Sequence, residues 1–374
     1  METILTRDGP TRLMLRGDHY TMGRQHGVQV RMLRPLIDEA IKSRFDDIAK
    51  YGYDARFETL VRETREALIA HSPAVVDFMR GQADALAYEF ESLLRYDLVS
   101  YLCDDLLTRE TATSESCTSW AATGSATVDG LPLVAKNRDY RLEHLPLQTV
   151  SRVEPAAGHR YVCVGSAGSP GVYCGGINEA GLAVADTHVV STEMGPGLPD
   201  YALMMHLLEN HGAVSSAVDY LRSVPRLGRN NLILADAQGE VAVFESGHRG
   251  YGLFSIIDGA LVNTNHRISP PLRHQFTDLS PPVAKGNSFR RYDKVSEALR
   301  AAHGHIDVAF AQRLMATHDG PLASVCRHPI EGCDSATIAA CVFVPADRTL
   351  LFCHGLPCQG TYETFVSGRD GDKL

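Results

Sequence analysis

Hydrophobic and polar positions follow two different patterns along the chain, and the change comes near residue 116. Across residues 18–110, apolar side chains recur close to the period of an α-helix, as at Leu33 and Leu36. The same periodicity predicts further helices over 56–71, 74–90 and 91–108. The first part of the chain is therefore predicted to be a helical segment.

The second part consists of short β-type runs separated by Gly and Pro. It predicts strands at 117–123, 131–138, 148–154, 160–165, 171–177, 181–187, 230–236, 240–245, 251–256 and 259–264. Helices are predicted within 199–224, 288–302 and 306–316, and a hairpin with its turn at Pro345 to Asp347 closes the pattern. Because strands and helices come in groups rather than in βαβ alternation, we expect an α+β fold. No linker-like segment separates the two parts, so one compact body is expected.

Composition and charge are typical of a globular protein and exclude several kinds of partner. The 374 residues are 44% hydrophobic and 22% charged, which allows a sizeable core. The formal net charge of -9, without a long Lys or Arg run, argues against nucleic acid and anionic membranes as partners. Arg7, Asp8 and Arg12 interrupt any signal-peptide core, and Pro170 breaks the longest uncharged stretch, 161–178. A cytoplasmic protein is therefore expected.

Cysteine usage predicts neither a disulfide framework nor a metal site. The nine cysteines are scattered, and no CxxC pair occurs among them. Most are expected to be small core residues in a reducing compartment. The sequence also predicts no cofactor.

One cysteine is distinguished by its neighbours. In the run SESCTSWAATG, residues 114–124, Cys117 lies between Ser116 and Thr118, directly before a short apolar run. A lone cysteine at the start of a strand is most often a packing residue, because reactivity depends on the pKa and the exposure of the thiol. The surrounding hydroxyl residues, however, favour an exposed turn from which the thiol enters the strand, and there it could act as a nucleophile.

Three interpretations of Cys117 remain open. A cysteine nucleophile normally needs a base, and the sixteen histidines include the candidates His188, His266, His318 and His354. No local papain-type or caspase-type signature distinguishes one of them. Alternatively, cleavage just before Cys117 would free its α-amino group, whose ordinary pKa of about 7.7–8.0 suits a general base near neutral pH. In the third interpretation the thiol is inert and the protein only binds a ligand.

Three further polar residues lie in motifs that a structural or a catalytic role would explain. Asp139, in AKNRDY, is placed on the partner strand of a predicted hairpin and is either a surface charge or a group that orients the amine of Cys117. Asn265, in NTNH, either caps a turn or donates to an oxyanion. Arg327, in SVCRH, either forms an ion pair or holds Asp139 or a substrate carboxylate.

Two motifs are interpreted as structural. In GRQHG, residues 23–27, the glycines are expected to permit close helix packing, although His26 could suggest a metal or catalytic site. GINEAGLAV, residues 176–184, is typical of a tight β-hairpin turn.

These motifs, in this order, resemble the acyl-coenzyme A:6-aminopenicillanic acid acyltransferase family, the C45 peptidase-like group of the N-terminal-nucleophile (Ntn) hydrolases. No single motif is specific, but their shared order extends over nearly the whole chain. The matching stretches are YTMGRQHG (20–27), SCTSW (116–120), AKNRDY (135–140), GINEAGLAV (176–184), TNH (264–266), SFRRYDKV (288–295), SVCRH (324–328), TIAACVFVP (337–345) and GLPC (355–358).

The resemblance implies a four-layer αββα sandwich made as an inactive precursor. Autocatalytic cleavage would divide it into a helical segment, 1–116, and an Ntn-hydrolase core, 117–374. Cys117 would be the nucleophile and, through its amine, the base. Asp139 would position that amine, Asn265 would supply the oxyanion hole and Arg327 would lie near the aspartate. Ser116 at the cleavage site and Ser119, a hydroxyl residue, are implied in processing.

The implied activity is acyl transfer at a C–N amide bond through a thioester acyl-enzyme. Hydrolysis is favoured over transfer to an amine, because water is always available. Small acyl-amide compounds are the implied substrates, with a coenzyme A thioester as another possible donor. Arg138 stands between Asn137 and Asp139 where the family commonly has an aromatic residue, which predicts an altered acyl pocket. A two-chain protomer, which could assemble into a homo-oligomer, is expected.

Overall fold

The first part of the chain is a helical layer preceded by one strand. The computed structural model describes residues 9–51, 55–107, 117–191, 193–275, 285–320, 323–329 and 335–368. Strand β1 (Thr11–Gly17) leads into helices α1 (His19–Gln29), α2 (Arg34–Tyr51), α3 (Ala55–His71), α4 (Pro73–Leu86) and α5 (Phe90–Leu107). The predicted helical character of this part is confirmed. The strand β1 was not predicted, although its alternating burial fits an extended segment.

The second part is mostly strands. They are β2 (Thr118–Thr123), β3 (Leu133–Arg141), β4 (Gln148–Pro155), β5 (Tyr161–Ser166), β6 (Gly175–Asn178), β7 (Ala183–His188), β8 (Asn230–Ala235), β9 (Val241–Ser246), β10 (Tyr251–Ile256), β11 (Gly259–Asn263), β12 (Ser335–Val344), β13 (Thr349–His354) and β14 (Tyr362–Val366). The helices among them are α6 (Asp200–Asn210), α7 (Val214–Ser223), α8 (Asn287–Ala301) and α9 (Val308–Met315). The predicted strands and helices are confirmed to within a few residues, except that β6 starts later than residue 171. The last strand, β14, was not predicted.

The strands form two sheets. An eight-stranded sheet has the order β1-β4-β5-β6-β7-β8-β9-β10, and a six-stranded sheet has the order β11-β2-β3-β12-β13-β14. Strand β1 pairs in parallel with β4, so the helical part contributes an edge strand to the larger sheet. The predicted closing hairpin, β12 with β13, is confirmed.

Three buried apolar clusters separate four layers. One cluster packs helices α1–α7 against one face of the eight-stranded sheet, with side chains such as Leu68 and Leu232. A second cluster fills the space between the two sheets, where Val164 and Phe343 lie. The third packs the six-stranded sheet against α8 and α9 around Trp120. The layer order is therefore helix, sheet, sheet, helix, and the predicted αββα architecture is confirmed.

Glycines allow two helices of the outer layer to touch backbone to backbone. A Cβ atom added at Gly23 of α1 would lie 1.9 Å from the carbonyl oxygen of Phe78 in α4. His26, between the two glycines of GRQHG, is buried with its ring edge-on to Phe78. Burial lowers the pKa of His26 to about 4, which keeps the imidazole neutral. The structural interpretation of this motif is confirmed.

The second motif interpreted as structural, GINEAGLAV, forms the predicted β-hairpin turn. β6 and β7 pair in antiparallel fashion, and the Asn178 side chain accepts hydrogen bonds from the backbone of Ala180 and Leu182 within the turn between them. Within the part of the chain that the structure describes, no helix is both long and apolar enough to cross a lipid bilayer.

Candidate active site

Cys117 lies at the start of β2, where the edge of the six-stranded sheet meets α8. Its side chain is buried, with 6% exposure, and its Sγ lies 4.0 Å from the carbonyl oxygen of Asp139 on the neighbouring strand β3. Thr118 and Ser119 are also buried. The expected exposed turn is therefore wrong for residues 117–119, because the hydroxyl side chains face protein on both sides of the strand.

The β2–β3 hairpin places Asp139 next to the cysteine. Antiparallel pairing sets Thr118 opposite Asn137, so Asp139 extends past the beginning of β2. The carboxylate is fully buried, and its Oδ1 accepts a hydrogen bond from Oγ1 of Thr337 at 2.6 Å. Its Oδ2 has no hydrogen-bond partner among the described residues. The surface-charge interpretation of Asp139 is wrong.

Burial is the main influence on this carboxyl group. It raises the pKa of Asp139 to about 6, and the nearby positive charges of Arg291, Arg327 and Lys136, together with the Thr337 hydrogen bond, offset only part of the effect. A buried carboxylate with an unpartnered oxygen is unfavourable unless a cation or a donor reaches it.

Arg291 of α8 connects the cysteine to the asparagine. Its Nη1 donates to the carbonyl oxygen of Cys117 at 2.6 Å and to Oγ1 of Thr118 at 2.8 Å, while its Nη2 donates to Oδ1 of Asn265 at 2.7 Å. Burial lowers the pKa of Arg291 to about 10, partly opposed by Asp139 and Cys117, so the guanidinium stays charged at neutral pH. The sequence analysis assigned no role to Arg291, although the motif SFRRYDKV contains it.

Asn265 lies two residues beyond β11, the strand beside β2. Since its Oδ1 accepts from the Arg291 guanidinium, its amide nitrogen must point the other way, and Nδ2 donates to the carbonyl oxygen of His188 at 2.8 Å. The Nδ2 group has two hydrogens, so one N–H remains beyond the bond to His188. This orientation is compatible with an oxyanion donor.

Arg327 reaches the site through its backbone. Its N–H donates to Oγ1 of Thr337 at 2.8 Å, and the N–H of Thr337 donates to the carbonyl oxygen of Arg327 at 2.9 Å. Thr337 therefore links the Arg327 segment to the carboxylate of Asp139. The structure brings Cys117, Asp139, Asn265 and Arg327 together, with Thr337 and Arg291 as the connecting residues that the sequence did not reveal.

Of Ser116 and Ser119, the two residues implied in processing, the structure describes only Ser119. The Ser119 hydroxyl donates to the carbonyl oxygen of Asn263 at 3.4 Å, on the strand that flanks β2. Ser116 lies outside the described residues. The processing roles of Ser116 and Ser119 stay predictions.

A buried lysine lies close to the thiol on the side that faces the other sheet. Lys136 is 1% exposed, and its Nζ donates to both the carbonyl oxygen and the carboxylate of Asp186. Burial acts to lower the pKa of Lys136, but Asp186 and the thiols of Cys174 and Cys117 outweigh it and raise the pKa above its usual value. The ammonium is thus a fixed positive charge near Cys117. A lysine within AKNRDY gives no sequence signal of burial.

Arg138 lies between the sheets rather than in solvent. Its guanidinium lies over the rings of Tyr140 and Tyr173, 5.1 and 5.9 Å from their centroids, and its Nη1 donates to Oε1 of Gln148 at 2.9 Å. Stacking on two aromatic rings and a hydrogen bond hold this charge in place. The effect of Arg138 on the acyl pocket stays a prediction.

A cleft of about 680 Å³ lies along the edge strand β11 and beneath α8. Leu261, Val262, Tyr292 and Leu299 are among the side chains that line it. Cys117 and Asp139 do not line this cleft. It is therefore separate from the cluster of polar residues around the thiol.

Comparison with known proteins places this geometry in context. The sequence profile of the family described as acyl-coenzyme A:6-aminopenicillanic acid acyl-transferase matches residues 126–359. The match covers Asp139, Asn265, Arg291 and Arg327 but begins after Cys117. No curated protein matches the chain.

Solved structures that are similar to the chain include two whose sequence identity to it is low. A variant of the conjugated bile acid hydrolase from Clostridium perfringens is 13% identical, with 68% of this chain and 98% of that chain covered and a TM-score of 0.47. Penicillin V acylase from Agrobacterium tumefaciens is 17% identical, with 67% and 85% covered and a TM-score of 0.43.

The family match extends over more than half of the chain and contains most of the residues that surround the thiol. It confirms the resemblance that the order of motifs indicated, and with it the prediction of an enzyme. The chain belongs to the acyl-coenzyme A:6-aminopenicillanic acid acyl-transferase family.

Proposed function

We propose that the protein is a self-processing enzyme whose nucleophile is an N-terminal cysteine. It would cleave small acyl-amide compounds and pass the acyl group either to water or to a second amine. The observation that carries the proposal is the buried Oδ2 of Asp139, which has no hydrogen-bond partner among the described residues. The backbone carbonyl oxygen of the same residue lies 4.0 Å from Sγ of Cys117. Cleavage before Cys117 would create an α-ammonium group at that place. Charge pairing would then compensate the buried carboxylate.

Self-cleavage begins in the intact chain. The thiol of Cys117 loses its proton and the sulfur attacks the carbonyl carbon of Ser116, after which the C–N bond breaks and the nitrogen takes up a proton. The acyl group thereby moves from nitrogen to sulfur. Water then hydrolyses the thioester, releasing a carboxylate on Ser116 and restoring the thiol of Cys117, which now has a free α-amine.

Turnover uses the same atoms. The α-amine accepts the proton of the thiol, and the thiolate attacks the carbonyl carbon of the substrate amide. The α-ammonium returns the proton to the leaving amine, and a thioester acyl-enzyme remains. Water, or a second amine, attacks that thioester and restores the thiol. We favour water as the acceptor, because water is always available.

Charges around the thiol support this chemistry. The ammonium of Lys136 and the guanidinium of Arg291 favour a thiolate over a thiol. The amide of Asn265, oriented by Arg291, would donate to the oxyanion that forms as sulfur attacks. Asp139 would hold the α-ammonium during self-processing and turnover.

The substrate class follows from the family. Small acyl-amide compounds are the proposed substrates, with a coenzyme A thioester as an alternative acyl donor in the cytoplasm. The two chains that result from cleavage are proposed to stay together as one protomer, and several protomers could assemble into a homo-oligomer.

The intact mass of freshly purified protein under denaturing conditions tests the proposal, with a Cys117→Ala variant as the control. Cleavage after 116 of the 374 residues of this 40.8 kDa chain gives fragments of about 13 and about 28 kDa. We expect both fragments from the unaltered protein and only the uncut chain from the variant.

The other outcomes distinguish the alternatives. An uncut chain that hydrolyses acyl amides, and loses activity when one histidine is replaced, would support a Cys–His hydrolase. An uncut chain with an unreactive thiol, and with ligand binding unchanged in Cys117→Ala, would support a binding protein. Either result overturns the self-processing mechanism.

A further inference from the structure

Four potential metal-binding side chains converge next to the Arg327 segment. Sγ of Cys326 lies 3.6 Å from Sγ of Cys358, and Nε2 of His328 lies 3.1 Å from the same Cys358 sulfur. One ligand atom each of His318, His328 and Cys358 lies within 4.8 Å of the others. We call these four residues, His318, Cys326, His328 and Cys358, the His/Cys cluster.

Two of the distances between donor atoms are close to those around a tetrahedral ion. With Zn–S bonds of about 2.3 Å and Zn–N bonds of about 2.0 Å, neighbouring ligands of a tetrahedral zinc lie about 3.3–3.8 Å apart. The sulfur–sulfur distance of 3.6 Å falls in this range, and the nitrogen–sulfur distance of 3.1 Å is slightly shorter. The donor atoms of His318, His328 and Cys358 already lie within 4.8 Å of one another. Cys326 lies outside that set, and its side chain would have to turn from Cys358 toward the two imidazoles to complete a tetrahedral site.

The surroundings of His318 support a ligand role. Its Nδ1 is 3.2 Å from the carbonyl oxygen of Ala316, to which a neutral ring would donate. Such a bond leaves Nε2 with its lone pair available, the arrangement that most metal-bound histidines adopt. The ring centroids of His318 and His328 lie 4.6 Å apart, and one ligand atom of each ring lies within 4.8 Å of the other and of Sγ of Cys358.

The burial of the four residues and the backbone contacts around them are also suitable for binding a metal ion. Cys326 is buried, His328 and Cys358 are half-buried, and His318 is exposed, so an ion can enter from solvent. The N–H of Cys326 donates to the carbonyl oxygen of Thr317 at 2.8 Å, which holds the first two ligand segments together without the metal.

We propose that the His/Cys cluster binds one Zn²⁺ ion in a closed Cys₂His₂ site. Soft thiolates combined with imidazoles select zinc over the harder divalent cations. Four protein ligands leave no position for substrate, so the role is structural rather than catalytic. The ion would join the segment that follows α9, the segment around Arg327 and the turn that follows β13.

The position of the ion gives it a consequence for the active site. Cys326 and His328 flank Arg327 in the sequence, and the Arg327 backbone is bonded to Thr337, which contacts Asp139. Metal binding would fix this segment against the six-stranded sheet. The site itself does not depend on the proposed function, because its ligands and its test are separate from Cys117.

The sequence analysis predicted no metal site because it looked for short cysteine pairs. Here the spacing is His-x₇-Cys-x-His-x₂₉-Cys, from His318 to Cys358. Only folding brings the last cysteine to the other three ligands, because β12 and β13 lie between them.

Metal analysis of the full chain tests the inference. Protein in the Cys117→Ala background, reduced and freed of metal, is titrated with Zn²⁺ in competition with a chromophoric chelator, and separately with Co²⁺. We expect one equivalent of either ion per chain, and the Co²⁺ form should show thiolate-to-metal charge transfer and the intense visible bands of a tetrahedral site.

Variants assign the ligands. Cys358→Ser and His328→Gln should weaken Zn²⁺ binding by about 100-fold or more, since each removes a direct ligand. Cys353→Ser is the matched control, because this neighbouring cysteine lies outside the cluster and its sulfur contacts the carbonyl oxygen of His354. It should retain one equivalent of zinc.

Three results would overturn the inference. The first is less than stoichiometric Zn²⁺ binding by the reduced, folded protein, and the second is equal loss of binding in Cys353→Ser. The third is a Cys326–Cys358 disulfide in the isolated protein together with no metal uptake after reduction. None of these results bears on cleavage before Cys117.

Discussion

At the scale of single residues, the site depends on buried groups whose charges are set by one another. Asp139 keeps an unpartnered oxygen, Arg291 makes hydrogen bonds to three different residues, and Lys136 is paired with Asp186 between the sheets. Burial strengthens each interaction because the surroundings screen charge poorly. Replacing one of these residues should therefore affect the site more than its distance from the reacting atoms would suggest.

Arg291→Lys should keep the positive charge but lose the simultaneous contacts with Cys117, Thr118 and Asn265, because an ammonium lacks the planar fork of a guanidinium. We expect kcat on an acyl-amide substrate to fall by about 100-fold, the usual effect of losing an oxyanion donor. Steady-state kinetics of folded protein measures this. Arg290→Lys, at the exposed neighbouring position, should retain activity, and equal loss in both variants would contradict the assignment.

Asp139 should make the stability of the uncleaved chain depend on pH. The pKa of its carboxyl is raised from 3.8 to about 6 by burial, so the folded protein retains a proton that the unfolded chain loses between those values. The contribution of Asp139 to the free energy of unfolding is therefore expected to fall by about 3 kcal/mol as the pH rises through this window. Urea unfolding of Cys117→Ala protein between pH 4 and pH 7 measures the slope.

Substitution of Asp139 tests whether this carboxyl group causes the change of stability with pH. Asp139→Asn in the Cys117→Ala background should remove the part of the slope that Asp139 causes. The part that comes from Asp200, whose pKa is raised to about 7 by burial, should remain. Asp129→Asn, at an exposed turn, should leave the whole slope in place. In the processed protein, the α-ammonium should lower the pKa of Asp139 and flatten the slope. An unchanged slope in Asp139→Asn would show that another group titrates.

At the scale of elements, the β2–β3 hairpin and an irregularity in β12 position the candidate site. The hairpin sets Cys117 beside Asp139, and the register of β12 against β3 shifts between Thr337 and Ala339, next to Asp139. A bulge at this point redirects side chains locally and is common near active sites. It allows Thr337 to reach both the carboxylate and the Arg327 backbone.

The contact between α1 and α4 should tolerate no added side-chain atom. Gly23→Ala would place a Cβ 1.9 Å from the carbonyl oxygen of Phe78, so the helices must separate. We expect a loss of about 3 kcal/mol in the free energy of unfolding, the upper end of the usual cost of overpacking. Urea unfolding in the Cys117→Ala background measures it. Gly368→Ala, where an added Cβ meets nothing, should change stability little.

At the scale of the whole molecule, the parts before and after residue 116 share one core. Side chains of α1–α5 belong to the same apolar cluster as those of the eight-stranded sheet, and β1 pairs with β4 along its whole length. A break before Cys117 would cut the chain but leave these contacts intact.

The two chains produced by processing should therefore remain together. Native size-exclusion chromatography is expected to give one peak that contains both the smaller and the larger fragment, and only denaturant should separate them. The buried core between them, rather than a covalent bond, would be the reason. Separation of the fragments in native buffer would contradict this prediction.

Most of the helices and strands, and several residues of the candidate site, could be predicted from local sequence patterns. Periodicity located the helices and most strands, and the order of motifs indicated the family. Strands β1 and β14 were not predicted; both lie at the end of a sheet, where a strand pairs on one side only.

The contacts between residues that are distant in the sequence could not be predicted in this way, because they depend on how the strands are ordered in the folded chain. The order β11-β2-β3-β12 brings the segment just beyond β11, with Asn265, and the start of β12, with Thr337, to either side of the Cys117 hairpin. Strand order depends on long-range packing, which no local pattern contains. For the same reason, the burial of Lys136 and Asp139, the bridging role of Arg291 and the convergence of the His/Cys cluster became visible only in the folded chain.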